Sequence, residues 1–409
     1  MRPQVLFLTC HLPYPPFSGG RRREYELLTR LASDLDVHLV AVSKTYREDL
    51  DAVAALQEFC TAIDLFEAVE EPPQSGLPYQ VRRHVSPDAT TRVHEIIRSR
   101  ACNLVHVEGF YLMQHLPEPC PLPVVLVEQN VEYQLCRQRA ATAPLRQRSG
   151  FVYEYLLTLE AELDAWKRSD VCAAVTTDDR DFMVAANPTL DVRLVPDGID
   201  HLDGRPPDRS KGNGGLQESP SIVYVANFGY QPNVDGALFL LSEIFPRIAA
   251  RAPRVKLFLV GNAPPPEVVD AARSWRNVVV TGRVPAVEPY IDAADIVVCP
   301  LRIGGGIKVK VLEALSRGKA IVSTTIGVQG LPGAERAMVV RDLPASFASA
   351  CIRLLTNPAA RQRLERRAHA FARSLPTWEH AADALRACYA EALSRPTTIA
   401  VETEVPARR

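Results

Sequence analysis

The strongest constraint on the fold is an alternation that runs through the chain twice. Short apolar runs of strand length are separated by longer amphipathic stretches: "QVLFLTC", "REYELLTRLASDL", "VHLVAVS", an acidic helix-like run from about 47 to 60, "LVHVEG", "PVVLVEQ", a helical pattern around "EYLLTLEAELDAWKRSD", then "VCAAVTT" and "DVRLVPDG". Apolar runs that alternate with helical patterns predict parallel strands covered by helices on both faces. The rhythm breaks at residues 201–220, "HLDGRPPDRSKGNGGLQESP", where Gly, Pro, Ser and charge displace apolar residues as in a linker. It then restarts with "SIVYVAN", a helix from Asp235 to Ala250, "VKLFLVG", "EVVDAARSW", "NVVVTG", "DIVVCP", "AIVST" and helices from about 344 to 392. Two consecutive doubly wound α/β domains are expected, a count that 409 residues also favour.

Between "DIVVCP" and "AIVST" stands "PLRIGGGIKVKVLEAL", residues 300 to 315. In an open parallel sheet, ligands bind beyond the carboxyl ends of the strands, where loops enter helix N-termini. Gly304, Gly305 and Gly306 leave backbone amides bare at such a strand end, and a helix N-terminus adds unpaired N–H groups and partial positive charge. Lys308 and Lys310 supply full charges, and Glu313 offers a carboxylate to a pair of hydroxyls. Of only seven lysines in the chain, three, including Lys319, fall in or beside this stretch. A flexible turn with solvated lysines is the plainer alternative. Two better-known phosphate motifs are absent: Gly318-Lys319 is followed by Ala320 where a Walker loop needs Ser or Thr, and no Gly-x-Gly-x-x-Gly occurs here.

Composition excludes several classes. A net charge of −1 gives no global attraction to nucleic acid, which is not expected as a partner. Nine scattered cysteines without a Cys-x-x-Cys pair read as buried hydrophobes in a reducing compartment. Nine histidines without ligand spacing argue against a metal site. No apolar stretch reaches membrane-spanning or signal-peptide length, so a cytoplasmic protein is expected. The basic run from Arg137 to Arg148 is a candidate for peripheral contact with anionic headgroups at the inner membrane face, or is simply an exposed helix or loop.

The segment "ADIVVCPLRIGGGIKVKVLEALSRGKAIVSTTIGVQGL" resembles the donor-binding segment of GT-B fold nucleotide-sugar glycosyltransferases of family 4, or group 1. Other blocks agree in order: "LFLTCHLPYPPFSGGRRREYELLTRLA", "VPDGID", "YVANFGYQPNVDGALFLLSEIFPRI", "VVVTGRVPAVEPYIDAADIVVCP" and "WEHAADALRACYAEAL". The resemblance implies two Rossmann-like domains facing across a cleft: an acceptor-binding domain over 1–200, the linker 201–220, a donor-binding domain over 221–376, a returning helix over 377–394 and a tail over 395–409. It implies transfer of a sugar from a UDP- or GDP-sugar to a hydroxyl acceptor such as a glycan, lipid-linked saccharide or natural product. Retention of configuration is implied, with no metal and no cofactor beyond the donor itself.

Residue by residue, the resemblance assigns Glu313 to the donor ribose and the loop 304–306 with Lys308 or Lys310 to the diphosphate. Gly282 and Arg283 face the base, and Asn227 and Gly229 face the phosphates; Gly19 and Gly20 precede a helix N-terminus, so they too can approach a phosphate or the donor from the first domain. The 227–229 loop lacks the basic residues frequent in the family, and Lys308 and Lys310 are candidates to replace them. Gly305 stands where many members carry a second glutamate. In "LVHVEGFY" Glu108 stands where several members carry a histidine, with His106 before it. Glu108 either orients substrate, acts as a base, or is a strand-end carboxylate engaged with a neighbouring helix. Arg21, Glu128 and Asn130 are candidate acceptor contacts. Arg21, Arg22 and Arg23 read either as a solvated first helical turn or as a site for a phosphate-bearing acceptor. A nucleotide-sugar 2-epimerase and a non-catalytic nucleotide-sugar-binding scaffold share the fold and remain as alternatives.

Overall fold

The computed structural model describes residues 2–199 and 219–395. Nearly all of the expected linker at 201–220 and of the tail at 395–409 lies outside them. The described residues form two compact units: one comprises residues 2–136, 144–195 and 382–395, the other 137–143, 196–199 and 219–381.

The first unit holds a seven-stranded sheet of β1 (Gln4–Thr9), β2 (Asp36–Ser43), β3 (Ala62–Glu67), β4 (Leu104–Glu108), β5 (Val124–Glu128), β6 (Val171–Ala174) and β7 (Val192–Leu194). Their order is β3-β2-β1-β4-β5-β6-β7 and every pairing is parallel. All residues of β4 and β5 are buried, which is why these strands read as unbroken apolar runs instead of alternating ones. Leu6, Leu8, Val105, Val107, Leu126 and Trp166 belong to the core that packs on this sheet.

The second unit holds β8 (Ser221–Val225), β9 (Lys256–Val260), β10 (Val278–Gly282), β11 (Ile296–Cys299), β12 (Ile321–Ser323) and β13 (Val339–Val340). Their order is β10-β9-β8-β11-β12-β13, again parallel throughout. In each sheet the direction of winding reverses at one place, between β1 and β4 and between β8 and β11. Those are the two crevices where a doubly wound sheet binds ligands.

Three local expectations change. The helix expected from Asp235 starts at Gln231, and between Gln231–Phe239 and Phe245–Ala249 it widens into a π-helical turn, Leu240–Ile244. Pro246 follows that turn, and a wider turn gives its ring room against the preceding carbonyls. The acidic run from 47 resolves into a short helix, Tyr46–Leu50, and a 3-10 turn, Val53–Leu56. Gly19 and Gly20 do not precede their helix but open it: Gly19–Leu31 is capped by the Ser18 hydroxyl, which accepts from Arg21 N.

Candidate functional site

In the second unit, the loop after β11 carries all three glycines of the 304–306 stretch to the β8/β11 crevice. Gly306 has φ +58°, a left-handed conformation that disfavours any side chain, and it delivers the chain into the helix Val309–Ser316. The loop is tied from inside. Lys308, buried at the N-cap position, donates from Nζ to Gly305 O at 3.0 Å and to Gly306 O at 2.7 Å. From the helix Glu132–Thr142, Gln138 brackets Gly304, its Oε1 accepting from Gly304 N at 3.2 Å and its Nε2 donating to Gly304 O at 3.3 Å.

Lys310 points elsewhere. Its ammonium donates to Asn233 Oδ1 at 2.6 Å and lies 4.9 Å from the centre of the Tyr224 ring on β8. Asn233 in turn donates from Nδ2 to Asn227 O at 2.7 Å, and Asn227 Oδ1 accepts from Gly229 N at 3.1 Å. Lys310 thus reaches the loop after β8 through Asn233. Burial lowers the Lys310 pKa to about 8 against the opposing influence of Cys299 and Glu313, so the ammonium is held at a cost that an anion would relieve. Glu313 is half-buried one turn further along the helix. Gly282 closes β10 with φ +68° and open space where a Cβ would lie, and Arg283 beside it is exposed.

In the first unit, the carboxyl ends of β1, β4 and β5 hold a buried polar network. His106 is fully buried, stacked 4.0 Å from the Phe7 ring, with Nε2 3.0 Å from Glu108 Oε1 and Nδ1 2.8 Å from the Tyr389 hydroxyl. Glu108 is also buried, and its second oxygen accepts from Gln129 Nε2 at 3.0 Å. Burial alone would raise its pKa, but the hydrogen bond and charge of His106, then Arg23, hold it lowered and ionised. Both candidate catalytic groups thus have their polar atoms engaged below the surface, and the arrangement suits them to positioning.

Gln129, which Glu108 aims, is the group that reaches the crevice. It also donates to Glu24 Oε1 at 3.3 Å, and a Cβ added to Gly20 would stand 3.1 Å from its Oε1 and 3.4 Å from His11 Cε1. His11, part-exposed just beyond β1, lies 3.0 Å from Glu24 Oε1 through Nε2 and 3.3 Å from Cys10 Sγ through Nδ1. Burial alone would lower the imidazole, yet the carboxylate of Glu24 and the thiol of Cys10 raise it to about 10. Burial raises Glu24 to about 7, with His11 opposing. Cys10, His11, Glu24 and Gln129 were not singled out in the sequence. The only signal available was a Cys-His pair directly after an apolar run.

The three acceptor candidates separate. Arg21 is buried and turned inward: Nη1 lies 2.8 Å from Asp49 Oδ1 and donates to Leu12 O at 2.7 Å, while Nη2 donates to Asp49 Oδ2 at 3.1 Å and Thr45 Oγ1 at 2.8 Å. Arg23 is likewise buried, donating to Val195 O at 2.9 Å. This first helical turn is neither solvated nor open to a phosphate, because partners distant in sequence close over two of its three arginines. Glu128 is also buried; its Oε1 accepts from Trp166 Nε1 at 3.1 Å. Asn130 is half-buried at the end of β5.

Glu162 lies near Glu128, accepting from Glu132 N and Tyr133 N at 2.8 Å each. Burial first pushes both carboxyls well above their usual range; the charges of Glu132 and Glu108 add to it at Glu128, and those of Glu128 and Glu132 at Glu162. A carboxyl with a raised folded pKa holds its proton in the fold after the unfolded chain has lost it. Stability therefore falls as pH rises above about 4.5, by up to about 1.4 kcal/mol per pH unit per carboxyl until the folded group ionises. Glu128→Gln, which keeps an acceptor for Trp166, is expected to raise the melting temperature at pH 8 by a few degrees and to change little at pH 4. Calorimetry at the two pH values checks it.

Residues 219–357, which cover β8 to β13 and the 304–306 loop, match the family model of group 1 glycosyl transferases. An uncharacterised 44.6 kDa protein from the cps region of Klebsiella pneumoniae is 26% identical over 117 residues, 27% of this chain and only 30% of that protein's length. Among solved structures, HepE of Anabaena, in complex with UDP and glucose, superimposes with a TM-score of 0.69 at 11% identity, covering 95% of this chain and 100% of that one. Sucrose-phosphate synthase of Thermosynechococcus elongatus gives 0.67 at 16% identity, covering 95% and 99%. Identities this low establish fold and not chemistry. The chain thus matches the group 1 glycosyl transferase model over residues 219–357, and it takes the GT-B fold of these structural relatives.

Proposed function

We propose that the chain is a glycosyltransferase that moves a sugar from a nucleoside diphosphate sugar, UDP- or GDP-linked, to a hydroxyl acceptor. One observation carries the reading: at the β8/β11 crevice a glycine loop leads into a helix N-terminus, and the ammonium of Lys310 on that helix connects through Asn233 to the loop 227–229. A diphosphate leaving group gains negative charge as the glycosidic bond breaks. Fixed amides and a desolvated ammonium stabilise that charge without reorganising, so catalysis here is electrostatic and positional. Glu313 holds the ribose hydroxyls, and Gly282 and Arg283 border the base. Gly305 leaves space where a carboxylate would meet the sugar, so recognition of the sugar hydroxyls falls to other groups.

In the first unit, Gln129 and His11 with Glu24 form the polar surface of the β1/β4 crevice, on which we place the acceptor. Asn130 extends that surface at the end of β5, and Glu108 with His106 hold Gln129 in place from below. Transfer proceeds with retention and needs no divalent metal or resident cofactor in this reading.

The test is a thermal-shift series with UDP, GDP, ADP and TDP and their sugar conjugates. Ligand at a hundredfold excess over Kd stabilises the native state by about 2.7 kcal/mol, which for a unit of this size is a rise of roughly 5–10 °C. One base is expected to give that rise, and Glu313→Ala to abolish it while leaving the unliganded melting temperature within a degree or two. If no nucleotide shifts the protein, the reading fails. Turnover of the donor to a glycosylated product then distinguishes an enzyme from an inert scaffold, and NMR of the product's anomeric proton reports retention.

A further inference from the structure

Cys10 directly follows β1, and the side chains around it form a graded line of acid and base. His11 Nδ1 stands 3.3 Å from the Cys10 sulfur, and Glu24 Oε1 stands 3.0 Å from the other nitrogen of the same ring. The Thr9 hydroxyl and Gln129 Nε2 both donate to that carboxylate, which fixes it beside the imidazole. Thiol, imidazole and carboxylate in that order draw the proton off a thiol and keep it on the ring. Burial alone would raise the Cys10 pKa, but the charge and hydrogen bond of His11 bring it well below its ordinary value. Burial raises seven of the other eight cysteines.

A second donor comes from the turn after β4, where the Tyr111 hydroxyl donates to the Cys10 sulfur at 3.4 Å. Gly109 permits that approach: it has φ +92°, and a Cβ there would stand 2.6 Å from Tyr111 Cε1. Tyr111 stacks on His84 with 4.5 Å between ring centres, and His84 is buried with Nδ1 donating to Gln80 O at 2.6 Å. Burial lowers the His84 pKa, so the ring is neutral and Nε2 is an acceptor. That nitrogen faces Cys10, is buried and has no hydrogen-bond partner among the described residues. A thiolate offers it nothing, whereas an S–OH group would offer it a proton.

We propose that Cys10 is a redox-modification site that takes a small hydroperoxide, with His11 as its counter-ion and proton donor. The thiolate sulfur attacks one oxygen of hydrogen peroxide; an S–O bond forms, the O–O bond breaks, and the departing hydroxide takes the proton of the His11 imidazolium and leaves as water. Sulfur loses two electrons to become the sulfenic acid, and the peroxide gains the same two. The sulfenic O–H then meets His84 Nε2. Only 9% of Cys10 is exposed, which admits a small peroxide and shuts out bulkier oxidants. Oxidation here needs neither sugar donor nor acceptor, so it stands apart from the proposed transfer.

The test is brief exposure of the reduced full chain to hydrogen peroxide, then catalase, then unfolding in iodoacetamide and dimedone together. Mass spectrometry of the peptides reads each surviving thiol by the first reagent and each sulfenic acid by the second. Cys120 and Cys136 are more exposed than Cys10, so exposure alone would oxidise them first. Cys10 is expected to be oxidised at least about tenfold faster than either. Its rate should change less than about threefold between pH 6 and pH 8, where an ordinary thiol of pKa about 8.5 gains roughly 75-fold in thiolate. The groups that face the sulfur over that range are His11, Tyr111 and His84, with Glu24 and Lys44 near enough to feel its charge. His11→Ala should restore the steep rise. Earlier oxidation of Cys120 or Cys136 overturns the proposal, as does a Cys10 that peroxide leaves reduced or whose rate climbs with pH like an ordinary thiol's. These results come from the wild-type chain and stand even where His11→Ala fails to fold.

Discussion

Replacing Arg21 by alanine is expected to destabilise the first unit by about 3–5 kcal/mol, the usual cost of removing one partner from a buried ion pair. The arginine and Asp49 are both buried, joined through two nitrogen–oxygen contacts, and Phe17 lies 4.6 Å from the guanidinium. Without Arg21, Asp49 keeps only the hydroxyls of Ser43 and Thr45 and the amide of Leu12. A loss of that size lowers the melting temperature of a unit this large by roughly ten degrees. The double change Arg21→Met with Asp49→Leu removes both charges and should be much milder, since apolar replacement of a whole buried pair is often neutral. A thermal melt of the wild type and the two variants decides the matter: equal damage in single and double variants would show that the guanidinium acts through packing and not through charge.

The second large effect is at Lys310. Lys310→Met is expected to reduce kcat/KM for the nucleotide sugar by 10²–10³, the range found when one fixed electrostatic contact to a developing anion is removed. Its pH dependence distinguishes this role from a structural one. The folded pKa is about 8, below the unfolded value of 10.5, so between those values the unfolded chain binds the extra proton and the unliganded protein gains stability as pH rises. Nucleotide affinity must move the other way, falling above pH 8 as the ammonium is lost. Opposite slopes in the wild type, both flattened in Lys310→Met, are the expected signature; calorimetric titration of the nucleotide at pH 7 and pH 9 measures the affinity side.

The sheet architecture was legible because the strands are buried on both faces, so that "DIVVCP" and "PVVLVEQ" needed no alternation to be recognised. The 304–306 loop was legible for a related reason, because glycines after a buried strand have few other uses. What sequence could not carry is direction and long-range pairing. Lys308 and Lys310 look alike as letters two positions apart, yet one ties the loop to itself and the other crosses to β8. The fate of Arg21 depends on Asp49, 28 residues away, and that of His106 on Tyr389, 283 residues away. The Cys10–His11–Glu24 cluster joins a strand end to the interior of the following helix, a contact that no local periodicity encodes.

The pairing of His106 with Tyr389 bears on how the chain comes into being. The first unit is completed by the segment that opens at Ala382, and the Tyr389 hydroxyl is what satisfies the inner nitrogen of His106 beneath the β1/β4 crevice. During synthesis the usual order is amino-terminal domain first. Here 283 further residues must leave the ribosome before His106 finds its last partner. The second unit can close while it is being made, and the first waits with an unfilled seam. A nascent chain stalled before residue 382 would carry all of the second unit and a first unit still open around His106.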